Sequence, residues 1–140
     1  MSAKRIEQAG NRIPISDALL NSFFQYILDR KFTEAERCLQ EIDEKVRGKD
    51  YNDYKRGFMQ ALKGILIMLR SNDQNTFLSN LDINDIENLK RYYREFSSSA
   101  NDGLNADYDR GYFSALAEYI FFIIKHAESK EETQTRNQYG

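Results

Sequence analysis

Two segments of this chain are near copies of one another. Tyr54-Lys55-Arg56-Gly57-Phe58 and Tyr108-Asp109-Arg110-Gly111-Tyr112 share the pattern Tyr-x-Arg-Gly-aromatic at an offset of 54 residues. The same offset sets Phe23 on Phe77, Phe24 on Leu78, Ala35 on Leu89, Leu39 on Tyr93 and Ile42 on Phe96. One offset that serves three successive stretches constrains a fold strongly, because both copies must find comparable places in the packing. It predicts two units, 16–72 and 73–127, each of three helices.

The helices follow from apolar spacing. Leu19, Leu20, Phe23, Phe24, Ile27 and Leu28 recur at the i, i+3, i+4, i+7 interval of one buried helix face, with Ser16 as N-cap before Asp17. A second helix is expected from the capping box Thr33-Glu34-Ala35-Glu36, its inner face marked by Ala35, Cys38, Leu39, Ile42 and Val46. Gly48 is expected to end it in a left-handed conformation. The third helix runs from Asn52 or Asp53 to Arg70. In the second unit the spacing predicts a short helix over Gln74–Asn80 and another capped by Asp82. A loop over Ser97–Gly103 and a long helix over 107–127 complete that unit.

The expected fold is therefore all-α: a six-helix, solenoid-like bundle of two pseudo-repeated three-helix units, with the long third helices at its centre. A flexible arm over 1–15 is expected before it, since Gly10-Asn11 and Pro14 discourage helix. A polar, disordered tail over 128–140 is expected after it. With one Pro and seven Gly among 140 residues there is too little turn chemistry for a β-sandwich.

Composition narrows the setting. The single Cys38 excludes an intramolecular disulfide and fits a reducing, cytoplasmic environment. Residues 1–16 carry Lys4, Arg5, Glu7 and Arg12 with no apolar stretch behind them, so no secretory signal is expected there. The apolar run ending at Ile124 contains Glu118 and is shorter than the about 20 residues a spanning helix needs, so no membrane association is expected. A net charge of -2 supplies no global field for nucleic acid.

Three groups of residues are candidates for function. Tyr119-Ile120-Phe121-Phe122-Ile123-Ile124 is apolar around the whole helix, so it is either central to the bundle or turned toward another chain. On the second reading Tyr119, Phe121, Phe122 and Ile124 form a partner interface, and a homodimer is one form it takes. Lys90-Arg91-Tyr92-Tyr93-Arg94, together with Arg47, Lys49 and Lys55, interleaves cations with Tyr rings in the way polyanion-binding surfaces do. The bland reading of these stretches is a solvated helix face.

The repeated Tyr54, Arg56, Gly57 and Tyr108, Arg110, Gly111 form the third group. The small residues Gly57, Ala61 and Gly64, with Gly111 and Ala115, allow a neighbouring helix close approach, which makes the motif chiefly a packing element. Its functional reading is a pair of arginines clamping an anion.

Catalytic, cofactor and metal sites are not expected. One Cys and one His cannot build a structural zinc site. Glu118 is a lone carboxylate in an apolar helix, and no phosphate-cradling glycine loop is present. The function expected is a non-enzymatic helical adaptor or accessory subunit that binds partner proteins in an intracellular complex. The alternative is a nucleic-acid-associated protein using Lys45–Arg56 and Lys90–Arg94, and the third is a small helical enzyme.

Overall fold

The computed structural model describes residues 13, 15–48 and 50–139, with side chains to residue 132. Among these residues the regular structure is all-α: α1 (Asp17–Leu28), α2 (Phe32–Val46), α3 (Asp53–Arg70), α4 (Ile86–Asn101) and α5 (Asp107–Tyr139). There are five helices, not the expected six. Residues 73–85 form a succession of turns where a short helix over Gln74–Asn80 was expected.

Side chains that compete for the backbone explain the missing helix. Asp73 Oδ1 accepts from the Asn75 amide at 2.9 Å. The Asn80 side-chain amide donates to the carbonyls of Gln74 at 2.6 Å and Thr76 at 3.0 Å. These bonds close turns that a helical ladder would have to open.

The remaining starts keep the register of the repeat. Phe32 and Ile86 open α2 and α4, and Asp53 and Asp107 open α3 and α5. Ser16 caps α1 as expected, accepting from the Leu19 amide at 3.1 Å. Asn52 caps α3 by accepting from the Lys55 amide at 3.0 Å. Asp82 does not cap α4; Asp85 does so through the Asn88 amide, 3.2 Å away, while Asp82 holds a turn through the Asn84 amide at 2.9 Å. Nor does the expected loop over Ser97–Gly103 form, since α4 continues to Asn101.

The expected capping box at Thr33 is also absent. Lys31 is the N-cap of α2 and makes no side-chain cap bond. The reason lies in the preceding turn: Arg30 adopts a left-handed conformation (φ 58°), the Lys31 amide bonds to the Tyr26 carbonyl and the Arg30 amide to that of Ile27. This is the Schellman pattern, normally built on glycine. It delivers the chain into α2 before Thr33 is reached. Asn72 takes the same left-handed conformation after α3 (φ 60°), and its Oδ1 accepts from Arg30 at 3.1 Å. Gly48, by contrast, is not left-handed, because α2 ends on an extended Arg47.

α3 and α5 make the most extensive helix contact, followed by α4 with α5 and α1 with α2. The two repeat motifs are what cross. A Cβ placed on Gly57 would overlap the carbonyl oxygen of Tyr108 and lie 2.8 Å from its carbonyl carbon. A Cβ on Gly111 would do the same to Tyr54, at 2.8 Å from its carbonyl carbon. Each glycine thus seats the other copy's tyrosine backbone, a reciprocal contact that only residues without a side chain allow. Gly64 is different: the nearest atoms to a Cβ there are Tyr112 Oη at 3.7 Å and Met68 Cε at 3.8 Å, ordinary contact.

One cluster of buried side chains draws on all five helices, with Phe24, Ile42, Leu62, Leu89, Ile120 and Ile123 among its most enclosed members. Each such side chain contributes about 1.5–3 kcal/mol on burial. Of the expected arm over 1–15, Ile13 and Ile15 pack against this core and the other residues lie outside those described. Where a disordered tail was expected, α5 continues through residues 128–139.

Candidate functional site

Aromatic side chains gather where α4, α5 and the turn segment between α3 and α4 meet. Tyr92 and Phe96 occupy i and i+4 of α4 and so share a stripe. Phe77, from the turns, meets both: edge-on to Tyr92 at 4.8 Å and to Phe96 at 6.1 Å between ring centroids. Phe96 stacks in turn on Phe113 of α5 at 6.2 Å, and Phe113 meets Tyr112 at 6.4 Å.

Five rings therefore run in unbroken contact from the turns across α4 and α5, and the Tyr112 hydroxyl reaches Gly64 on α3. Phe77 is 42% exposed and the other four are half-buried. The guanidinium of Arg91 covers the Tyr92 ring at 4.7 Å. It is held there by Asn88 Oδ1 at 2.7 Å and Glu95 Oε1 at 3.5 Å.

Sequence reasoning missed this face for a definite reason. Phe77 stands 54 residues after Phe23, which is fully buried in α1. With no helix at 74–80, the apolar periodicity that aligns the two no longer fixes which way Phe77 faces. Three residues apart on α4, Tyr93 is buried while Phe96 is half-buried. The available signal was the i, i+4 pair Tyr92/Phe96 flanked by cations.

The chain matches no protein-family model, no curated protein and no solved structure.

The other candidates are distributed as follows. Tyr119 and Ile124 are buried within the bundle, whereas Phe121 and Phe122 are half-buried. Phe122 rests on Phe24 at 5.7 Å, and Phe121 lies 5.8 Å from Tyr93 with Lys125 over its ring. Among the cations, Arg91 and Arg94 are exposed and Lys90 half-buried. Arg47 pairs with Asp43 at 2.9 Å and covers Tyr51. Lys55 is buried and donates from Nζ to the Asp50 carbonyl at 3.1 Å, so it presents no charge to a polyanion. Lys49 lies outside the described residues.

The motif arginines are not equivalent. Arg110 is 14% exposed, donates from Nε to the Ala100 carbonyl at 3.1 Å and pairs with Asp107 at 3.6 Å. It thereby serves the last turn of α4, where carbonyls lack intrahelical donors. Arg56 is 60% exposed and meets only the matching carboxylate, Asp53, at 3.4 Å among its described contacts.

Cys38 is buried, its thiol donating to the Leu19 carbonyl at 3.5 Å. Burial, aided by the Glu41 charge, raises its pKa and keeps it a thiol. His126 sits in mid-α5. Open surface grooves include one of about 390 Å³ lined by Asn84, Ile86, Ala127, Lys130 and Glu131, and one of about 330 Å³ between α2 and α3. Neither is lined by Cys38, His126 or Glu118. Among the described residues no cluster of three or more potential metal ligands occurs, and no helix is long and apolar enough to cross a membrane.

Two tyrosines report on the interior. Burial raises the pKa of Tyr119. Burial also raises that of Tyr54, with the Glu118 charge adding and a hydrogen bond with Ser114 and the Arg110 charge opposing. A phenol whose folded pKa lies above its unfolded value of about 10 favours folding fully below that pH and progressively less above it. Stability should therefore fall as pH rises beyond about 10, by at most about 1.4 kcal/mol per pH unit for each such tyrosine. Ultraviolet titration should show a late, cooperative phenolate step that coincides with loss of helical circular dichroism. Simple titration of all tyrosines near pH 10, with the helix content unchanged, would contradict it.

Proposed function

We propose that this protein is a non-enzymatic helical adaptor or accessory subunit that docks a partner protein on the face formed by Phe77, Tyr92, Phe96 and Phe113. The observation that carries this reading is the continuous ladder of half-exposed rings. Contiguous exposed apolar surface marks interaction sites. Aromatic residues beside an Arg already fixed on a ring are also the composition of interface hot spots. Such a face favours a partner that offers apolar anchors of its own. A second copy of the chain is one such partner, and light scattering on the purified protein distinguishes it.

The second reading is a polyanion surface on α4, where Arg91 and Arg94 are exposed. It is the weaker one: Arg91 is already engaged with Asn88 and Glu95, and Lys55 is withdrawn into the interior. The bundle is further read as two related units, with the first helix of the second unit replaced by turns.

The test is affinity purification of the full chain at moderate salt, with and without nuclease, comparing the wild type with a Phe77→Ala/Phe96→Ala variant. A defined protein retained after nuclease by the wild type should be lost by the variant. Each truncated anchor is expected to weaken binding by about 2 kcal/mol. Retention of the same partner by the variant overturns the assignment of the face. A nuclease-sensitive set of proteins, with affinity that falls steeply with salt, supports the polyanion reading instead.

A further inference from the structure

Contact among the five helices is unevenly shared. α5 packs on α3 and α4 over long stretches, and α1 packs on α2. The pairs that join α1 and α2 to the rest, α2 with α3 and α1 with α5, are much less extensive. The hairpin of α1 and α2 is also closed on itself. The left-handed Arg30 turns one helix into the other, and the Cys38 thiol of α2 donates to the Leu19 carbonyl of α1 at 3.5 Å.

The seam between this hairpin and α3–α5 combines apolar contact with weak polar contact. Phe24 rests on Tyr119 and Phe122, at 5.3 and 5.7 Å between ring centroids. Arg30 donates to Asn72 at 3.1 Å and Arg70 pairs with Glu36 at 3.6 Å, both at the surface, where such contacts hold little. Between α2 and α3 the seam is not filled: Leu39, Asp43, Leu66 and Ile67 are among the residues that line the open groove of about 330 Å³. Asp43 Oδ1 is buried without a hydrogen bond, a cost of the closed state that water removes once α2 lifts away. Gly48 follows α2, and a Cβ there would meet nothing within 4 Å, so the chain is unpacked where it leaves the hairpin.

We propose that the α1/α2 hairpin is a cover that opens as one unit from a core of α3, α4 and α5, which stays folded. Helices of 12 and 15 residues are too short to persist alone, so the hairpin melts once it is released. Opening uncovers Tyr119 and more of Phe122, and so presents the apolar run of α5 that the closed form encloses. One opening equilibrium thereby sets the exposure of that run. The ring ladder on α4 is outside the seam, so the cover and the docking face stand or fall independently.

Native-state hydrogen exchange of the ¹⁵N-labelled full chain, in urea below the unfolding transition, tests the proposal. The amides of Phe24, Ile27, Leu39 and Ile42 should converge on one protection, about a hundredfold lower than that of Leu62, Ile120 and Ile123. The Cys38 thiol should react with a thiol reagent with the same protection as the hairpin amides. Leu89→Val, in α4, should speed exchange of Leu62, Ile120 and Ile123 about tenfold and leave α1 and α2 at the wild-type rate. Ile42→Val, in the hairpin, should speed both groups by one factor, because the core does not unfold beneath a closed cover. Hairpin amides as protected as those of α5, or a Leu89→Val effect equal in α1, α2 and α5, would overturn the proposal. So would exchange in α1 that leaves α2 protected, since the hairpin would then not move as one.

Discussion

Gly57→Ala and Gly111→Ala are each expected to destabilise the protein by about 3 kcal/mol or more, at the upper end of overpacking substitutions. An alanine methyl is the smallest possible addition, but here its neighbour is backbone. The Cβ would overlap the carbonyl oxygen of Tyr108 in one case and of Tyr54 in the other. No rotamer change relieves such a clash, so α3 and α5 must move apart along the most extensive contact in the fold. That movement loosens Leu62, Ile65, Ile120 and Ile123 together.

In thermal unfolding the midpoint should fall by roughly 10 °C or more for a chain of this size. Gly64→Ala is the internal comparison, since its new methyl meets only ordinary contacts at 3.7 and 3.8 Å. There the gain in helix propensity should dominate, raising stability by about 0.5–1 kcal/mol. If all three variants behave alike, the reciprocal crossing is not what the glycines are for.

The crossing was legible in the sequence because it depends on covalent identity. A glycine repeated at helical spacing beside an aromatic has few uses other than close approach, so the motif pointed to packing before any partner was known. The starts of α2, α3, α4 and α5 keep the 54-residue register for the same reason, as the buried positions of each helix are set by their spacing.

Illegible were the places where side chains compete with the backbone. Asp73, Thr76 and Asn80 each draw a hydrogen bond away from a helical ladder, and apolar spacing contains no sign of that. Loss of the one helix then separates two residues that the repeat treats alike. Leu78, counterpart of Phe24, still packs in the core, whereas Phe77, counterpart of the buried Phe23, is turned out to the surface. Phe77 joins the ring ladder because of that difference, which apolar spacing does not show.

Phe24→Ala is expected to cost about 3–5 kcal/mol, the range for removing a buried aromatic, and to change the protein's association as well as its stability. Phe24 is fully buried and touches three rings: Phe23 at 5.7 Å, Tyr119 at 5.3 Å and Phe122 at 5.7 Å. Through it, α1 covers the apolar run of α5 that sequence alone left divided between core and interface. Truncation therefore leaves a cavity and also removes part of the cover over Tyr119 and Phe122. The variant should melt well below the wild type, bind a hydrophobic dye and show concentration-dependent mass in light scattering at temperatures where it remains helical. Phe24→Leu keeps most of the volume and should cost less than about 1.5 kcal/mol without inducing association. A Phe24→Ala protein that melts like the wild type and stays monomeric would mean that α1 does not cover α5 in solution. The run Tyr119–Ile124 would then be free to serve as a partner interface.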